Sequence, residues 1–247
     1  MASIFLSPSV QEYNKYLTGG DEEQYMNLIA DAMMPYLEAS GIYVTRNDPD
    51  EPLSAAIAAS NAGVFDLHLA LHSNAAPADR YGTVRGIIVF YYPGSVNGRR
   101  AAVLMADNLK AIYPLPDKVR AEGTTAIGEV RQPRAPSVFL ELGYHDNADD
   151  ATWVTGHLDE IARNLVLSLT EYFGIPFLYP TAPRSGVVDV SWGYLNIRAR
   201  PDTTAPVVAR AYDGAPLTII NQWQDWYLVR FDGVVGYASR DFVTLVS

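Results

Sequence analysis

With 247 residues the chain is long enough for one large domain or two unequal ones, and its 49% hydrophobic residues suffice for a packed core, which excludes a disordered polymer. It has no cysteine, so disulfides, thiolate nucleophiles and thiolate metal sites are excluded, and any metal must be held by His, carboxylate or other oxygen and nitrogen ligands. The net charge of -10 lies wholly in residues 1–183, with 12 basic and 22 acidic side chains against six of each in residues 184–247, which argues against a nucleic-acid surface there.

Ile4-Phe-Leu-Ser-Pro8 reads as a first strand broken by proline. After Gly19-Gly20, Asp21 is placed to cap a helix whose apolar face is Met26, Ile29, Met33 and Leu37, and Gly41 stops it. A strand over Ile42 to Thr45, a turn at Asn47-Asp-Pro49 and a helix over Leu53 to Asn61 lead into a second apolar strand within Val64 to Ala75. Gly86 to Tyr92 reads as a strand, Arg100 to Ile112 as a helix and Pro114 to Pro136 as irregular; a strand beginning near Ser137 follows, and helices over Asp149 to Thr155 and His157 to Phe173 close the pattern. Strands alternating with helices predict an α/β domain with a mainly parallel sheet flanked by helices on both faces.

Leu178 to Gly186 reads as a Pro-rich linker. Beyond it the period changes to short strands at Val187 to Val190, Leu195 to Arg198, Val207 to Ala211, Leu217 to Gln222, Trp226 to Phe231 and Val234 to Tyr237, as in a small all-β barrel. The domains expected are therefore 1–177, a linker at 178–186, and 187–247.

Two strand ends carry the chemistry. Phe65-Asp-Leu-His-Leu-Ala-Leu-His-Ser-Asn74 ends in His72, and Pro136-Ser-Val-Phe-Leu-Glu-Leu-Gly-Tyr-His145 sets Glu141 among Val138, Phe139, Leu140 and Leu142. A carboxylate in such a run loses hydration unless a cation or hydrogen-bond donor compensates it. Parallel strands deliver both residues toward one edge, where ligands gather in α/β sheets. His68 shares a face with His72 but lies about 13 Å away along the strand, too far to bind the same ion, and reads as structural.

Leu71-His-Ser-Asn-Ala75 and Ala135-Pro-Ser-Val-Phe-Leu-Glu-Leu-Gly-Tyr-His-Asp-Asn147 resemble the second and third signatures of the zinc-dependent N-acetylmuramoyl-L-alanine amidases, and the likeness spans residues 1 to 175. Leu195-Asn-Ile-Arg-Ala-Arg-Pro201, Asp213-Gly214, Trp226-Tyr-Leu-Val229 and Val235-Gly-Tyr237 resemble a bacterial SH3-like domain, a type that commonly tethers wall hydrolases to peptidoglycan. The first resemblance implies zinc on His72 and on Glu23, with Glu22 the weaker candidate, and Glu141 as the catalytic acid and base. It departs at the first signature, where Val10 stands in place of a zinc-binding His; Gln11, Tyr13 and His145 are the candidates for a third ligand or a substrate contact. The second resemblance implies wall binding through Trp192, Tyr194, Trp223, Trp226 and Tyr237, several of which a barrel of this size must bury.

The implied activity is hydrolysis of the amide between N-acetylmuramic acid and the L-alanine of the stem peptide. The alternatives are a catalytically impaired peptidoglycan-binding protein and a zinc peptidase acting within the stem peptide. Peptidoglycan is the expected partner, with no nucleic acid and no membrane span. Met1-Ala-Ser-Ile-Phe-Leu-Ser-Pro8 lacks the basic start and cleavage site of a secretory signal, so the expected setting is synthesis in the cytoplasm and action at the bacterial wall after lysis or delivery by a dedicated machine.

Overall fold

In the computed structural model of the protein, which describes residues 2–246, the elements in chain order are β1 (Ser3–Pro8), α1 (Glu22–Ala39), β2 (Tyr43–Arg46), α2 (Leu53–Ala62), β3 (Leu67–Asn74), β4 (Ile87–Tyr91), α3 (Val96–Lys110), β5 (Val119–Gly123), α4 (Gly128–Arg131), β6 (Ser137–Tyr144), α5 (Ala148–Gly156), α6 (Leu158–Phe173), β7 (Arg184–Val188), β8 (Tyr194–Arg198), β9 (Val207–Tyr212), β10 (Pro216–Trp223), β11 (Trp226–Phe231), β12 (Val234–Ser239) and β13 (Val243–Val246). They form two compact units. One holds Ser3–Met34 and Val44–Tyr172; the other is built mainly from Phe173 onward and takes in Pro35–Tyr43.

The larger unit is a mixed α/β domain on a six-stranded sheet of order β2-β1-β3-β6-β4-β5. The pairs β1/β3, β3/β6 and β4/β5 are parallel, while β4 runs antiparallel to β6. The central strands are apolar on both faces because both faces are covered: Ile4, Phe5, Leu6, Leu67, Leu69, Leu71, Val138, Leu140 and Leu142 have no exposed surface. Met26, Ile29 and Met33, on one face of α1, are equally buried. Helix α3 packs on β4 and β5, and α5 on β6.

Several boundaries differ from the sequence reading for local reasons. Helix α3 begins at Val96 and not at Arg100, because the Ser95 Oγ accepts from the Gly98 backbone N–H at 3.0 Å and caps a first turn that Asn97 and Gly98 disguise as a loop. The stretch expected to be irregular contains β5, a sheet-edge strand whose exposed Arg120 and Glu122 hide it. The same stretch contains the single turn of α4. Within the expected linker, Arg184 to Gly186 already pair in β7.

The second unit carries a separate antiparallel sheet of order β13-β7-β10-β11-β12-β8-β9. Among the described residues its end strands, β13 and β9, are not paired with each other, so the sheet is open where a closed barrel was expected. Ile197, Ile219, Val229 and Ala238 form its core. Gly236 is required there, because a Cβ would come within 2.7 Å of the Ile197 side chain and 2.8 Å of the Arg198 carbonyl. No helix among the described residues is long and apolar enough to cross a membrane.

One buried carboxylate ties the end of β6 to the start of β4. Asp150 has no exposed surface and accepts from Tyr113 Oη at 2.6 Å, Arg85 Nε at 2.9 Å, Gly86 N at 3.0 Å and Tyr144 N at 3.1 Å. Asp150→Ala leaves those donors without their acceptor and should cost about 3 kcal/mol of stability. Urea denaturation at neutral pH reads this as a lowered midpoint with an unchanged slope.

Candidate active site

The parallel register of β3 and β6 sets His72 directly beside Glu141. Two residues earlier on the same face of β6, Phe139 stacks on the His72 ring with centroids 4.2 Å apart. The register then slips between His72 and Asn74, where Gly143 adopts a φ of +77° that a side chain resists. That bulge turns the chain, so that the His145 N–H donates to the Asn74 carbonyl at 2.9 Å and His145 Nδ1 lies 3.1 Å from Ser73 Oγ. His145 is buried and stands 4.0 Å from Glu22 Oε2, so the structure brings it into the cluster.

Asp21 caps α1 by accepting from the Gln24 N–H at 2.9 Å, which sets the residue after it, Glu22, at the site. Glu22 is 1% exposed, and its Oε1 is 2.7 Å from His72 Nδ1. Glu23 is partly exposed, and its electrostatic neighbours are Asp21, Glu12, Asp50 and Lys15. The acidic residue at His72 is therefore Glu22 and not the expected Glu23, because a one-residue step around a helix turns a side chain by about 100°. Burial raises the Glu22 pKa, but the hydrogen bond and charge of His72 outweigh it and hold the carboxyl below its usual range.

Asn14 fixes the loop that carries the altered first signature. Its Nδ2 donates to Glu22 Oε2 at 2.6 Å and to Gln11 Oε1 at 2.9 Å. Because a carboxylate only accepts, the Asn14 amide has one orientation, and it forces the oxygen of Gln11 toward Asn14. Gln11 therefore turns its Nε2, 3.3 Å away, toward His72 Nδ1. An amide nitrogen has no lone pair for a metal, and Nδ1, which gives its proton to Glu22, does not accept from it, so Gln11 neither ligates nor bonds the ring. Tyr13 is 72% exposed, and its hydroxyl donates to the same Gln11 oxygen.

A residue absent from the sequence reading completes the arrangement. Glu129, in α4, has no exposed surface and bridges His68 Nε2 at 3.0 Å and His72 Nε2 at 3.4 Å, while His68 Nδ1 meets Ser60 Oγ at 2.9 Å. Burial opposes ionisation of Glu129, but the hydrogen bonds and charges of the two imidazoles prevail and bring its pKa to about 2. Burial likewise disfavours the His72 imidazolium, yet Glu129 and Glu22 together push its pKa up to about 9. The only signal for Glu129 in the sequence is a Glu within Ile127-Gly-Glu-Val130, whose partners lie about 60 residues upstream.

Glu141 differs from the other two carboxylates. Its Oε2 is enclosed and has no hydrogen-bond partner, and burial pushes its pKa up to about 8, with the charge of His72 pulling the other way. Among the described residues, no three His, Asp or Glu side chains converge as a ready metal cage. The donor chemistry nevertheless fits a divalent cation at two positions, through Glu22 and His72 Nδ1, with the unpartnered Glu141 oxygen close by.

In the second unit a cavity of about 770 Å³ is lined by Trp192, Tyr194, Trp226 and Phe242, with Arg198 and Asp225 as its charged groups. Trp192 is 87% exposed. Trp223 is outside this lining, and Tyr237 is a core residue packed with Ile220 and Leu228, so the structure groups three of the five expected aromatics.

Residues 193–244 match the bacterial SH3 domain, and residues 12–171 match the N-acetylmuramoyl-L-alanine amidase family. No curated protein sequence matches the chain. Among solved structures, the catalytic domain of the amidase CwlV from Bacillus (Paenibacillus) polymyxa var. colistinus is 16% identical, with 71% of this chain and 100% of that one covered and a TM-score of 0.61. The amidase AmiC2 of Nostoc punctiforme is 17% identical over 70% of this chain and 97% of its own, with a TM-score of 0.60. The catalytic domain of the CD27L endolysin targeting Clostridia Difficile is 20% identical over 69% and 98%, with a TM-score of 0.58. At these identities the structures speak for the fold, while the family match covers well over half of the residues. The chain belongs to the N-acetylmuramoyl-L-alanine amidase family of peptidoglycan hydrolases.

Proposed function

We propose that the chain hydrolyses the amide between the lactyl group of N-acetylmuramic acid and the L-alanine of the stem peptide, with zinc held by Glu22 and His72 and with Glu141 as the acid and base. The observation that carries this reading is the enclosed, unpartnered Oε2 of Glu141 beside the Glu22–His72 pair. Bound there, zinc would polarise water and the scissile carbonyl. Glu141 takes the proton of the attacking water at Oε2 and returns it to the leaving amine. A carboxyl whose pKa burial has raised to about 8 is suited to both transfers near neutral pH. His145, held by Ser73 at the rim of the cluster, is placed to contact the substrate.

The division we propose is catalytic at 1–177 and wall-binding at 187–247, with 178–186 between them. Trp192, Tyr194 and Trp226 are the wall-binding groups in this reading, since aromatic rings around a polar-edged cavity suit a peptide or sugar. The donor orientation of Gln11 favours a second reading, a wall-binding protein whose altered metal site no longer supports turnover.

Glu141→Gln keeps the shape and removes the base, so release of stem peptides from purified walls should fall about 10²- to 10⁴-fold while wall binding persists. Mass analysis of the new termini checks this, and a wild-type protein that releases nothing would support the second reading. Zinc affinity should rise with pH. The His72 pKa is about 9 without metal, so below that value a proton competes for Nδ1, and affinity should gain roughly tenfold per pH unit between 6 and 8. Competition against a chromophoric chelator across that range measures it. Trp192→Ala should weaken sedimentation with peptidoglycan, whereas Trp223→Ala, which lies outside the cavity lining, should leave it unchanged.

A further inference from the structure

We propose that Glu129, itself held by His68, is a positioning residue that keeps a proton on His72 Nε2, so that Nδ1 is the ring nitrogen left for a metal. The inference rests on the reading of His72 as a ligand and deepens it with groups that never touch the ion.

The geometry leaves little freedom. A carboxylate only accepts hydrogen bonds, so both imidazoles that meet Glu129 must present N–H at Nε2. For His68 this makes Nδ1 an acceptor, and Ser60 Oγ stands 2.9 Å from it as the donor. For His72 it puts an N–H at Nε2 toward Glu129, and the Glu22 carboxylate, 2.7 Å away at Oε1, calls for a second N–H at Nδ1; the metal-free ring carries both protons, and a cation shared with Glu22 would displace the one on Nδ1. The Phe139 ring, stacked 17° from parallel on His72, blocks the face of the imidazole and keeps its plane aligned with both carboxylates. Phe5 stacks on His68 at 12° in the same manner.

The placement of Glu129 supports a specific role. It lies beside the apolar cluster of Ala70, Val130 and Phe139, where a carboxylate without donors would be strongly disfavoured. The donors come from His68 and His72, four residues apart on one face of β3. The two rings are bridged by the two oxygens of a single carboxylate. Carboxylates that orient metal-binding imidazoles from behind typically raise metal affinity by 10- to 100-fold. A site with only two strong protein donors depends more on that orientation than one with three.

The test compares wild type, Glu129→Gln and His72→Ala in full-length protein. It uses zinc alone as the probe, chelator competition for affinity, and nitrogen-15 NMR of the imidazole rings to show which nitrogens carry protons. Glu129→Gln has one acceptor oxygen where the carboxylate has two. We expect a 10- to 100-fold loss of zinc affinity and loss of the exchange-protected Nε2–H of His72, with the metal-free fold retained by circular dichroism. Unchanged affinity together with an unchanged Nε2–H of His72 overturns the proposal. If wild type binds zinc no better than His72→Ala, the metal reading fails separately. Glu129 is then judged on the His72 Nε2–H alone, and a ring spectrum that Glu129→Gln leaves unaltered overturns its role. Should the variant not fold, wild-type NMR with zinc decides. Metal on Nδ1 with a protected Nε2–H supports the proposal, and metal on Nε2 overturns it.

Discussion

The structure depends on how charge is kept inside an apolar sheet. Glu22 and Glu129 approach His72 from opposite sides of its ring, and each is almost fully enclosed. Neither carboxylate is tenable alone, because burial of an ionised carboxylate costs several kcal/mol without compensating donors. The imidazole answers both at once, at Nδ1 and at Nε2. Glu141, one strand away, has no donor at its enclosed Oε2, and burial pushes its pKa up to about 8.

The scaffold explains why the cluster forms at this place. Parallel β3 and β6 bring His72 and Glu141 level, and the Gly143 bulge ends the register and bends the chain so that His145 returns to the same site. Asp150 holds the backbone on the far side of that bulge, accepting from the N–H groups of Tyr144 and Gly86. Helix α1 arrives with its N-terminus at the cluster, where the helix dipole favours the ionised Glu22. In the second unit Trp192, in the turn before β8, and Tyr194, at its first residue, line a cavity, while Tyr237 in β12 goes to the core.

The altered first signature takes its meaning from the hydrogen bonds around it. Val10 stands where the resemblance implies a ligand, and the neighbouring Gln11 is locked by Asn14 with its amide nitrogen toward His72. The loop thus presents an amide donor where the resemblance implies a ligand. Such a donor is suited to an oxygen of the substrate and unsuited to a cation.

The sequence by itself determined the features that depend on local pattern. The alternation of strands and helices, the apolar face of α1, the Asp21 cap, the change of period after residue 183 and the pairing of His72 with Glu141 at strand ends all follow from near neighbours along the chain. Tertiary structure alone decided which of Glu22 and Glu23 faces the cluster, since both sit in the first helical turn and only the packing of α1 selects the inward one. It alone decided that the second sheet stays open, that β5 forms from a charged stretch at a sheet edge, and that Gln11 turns its amide nitrogen toward His72. Glu129 shows the reason most plainly. Its two partners are 57 and 61 residues away, and a buried carboxylate is specified by the donors that surround it in space, which no spacing along the chain encodes.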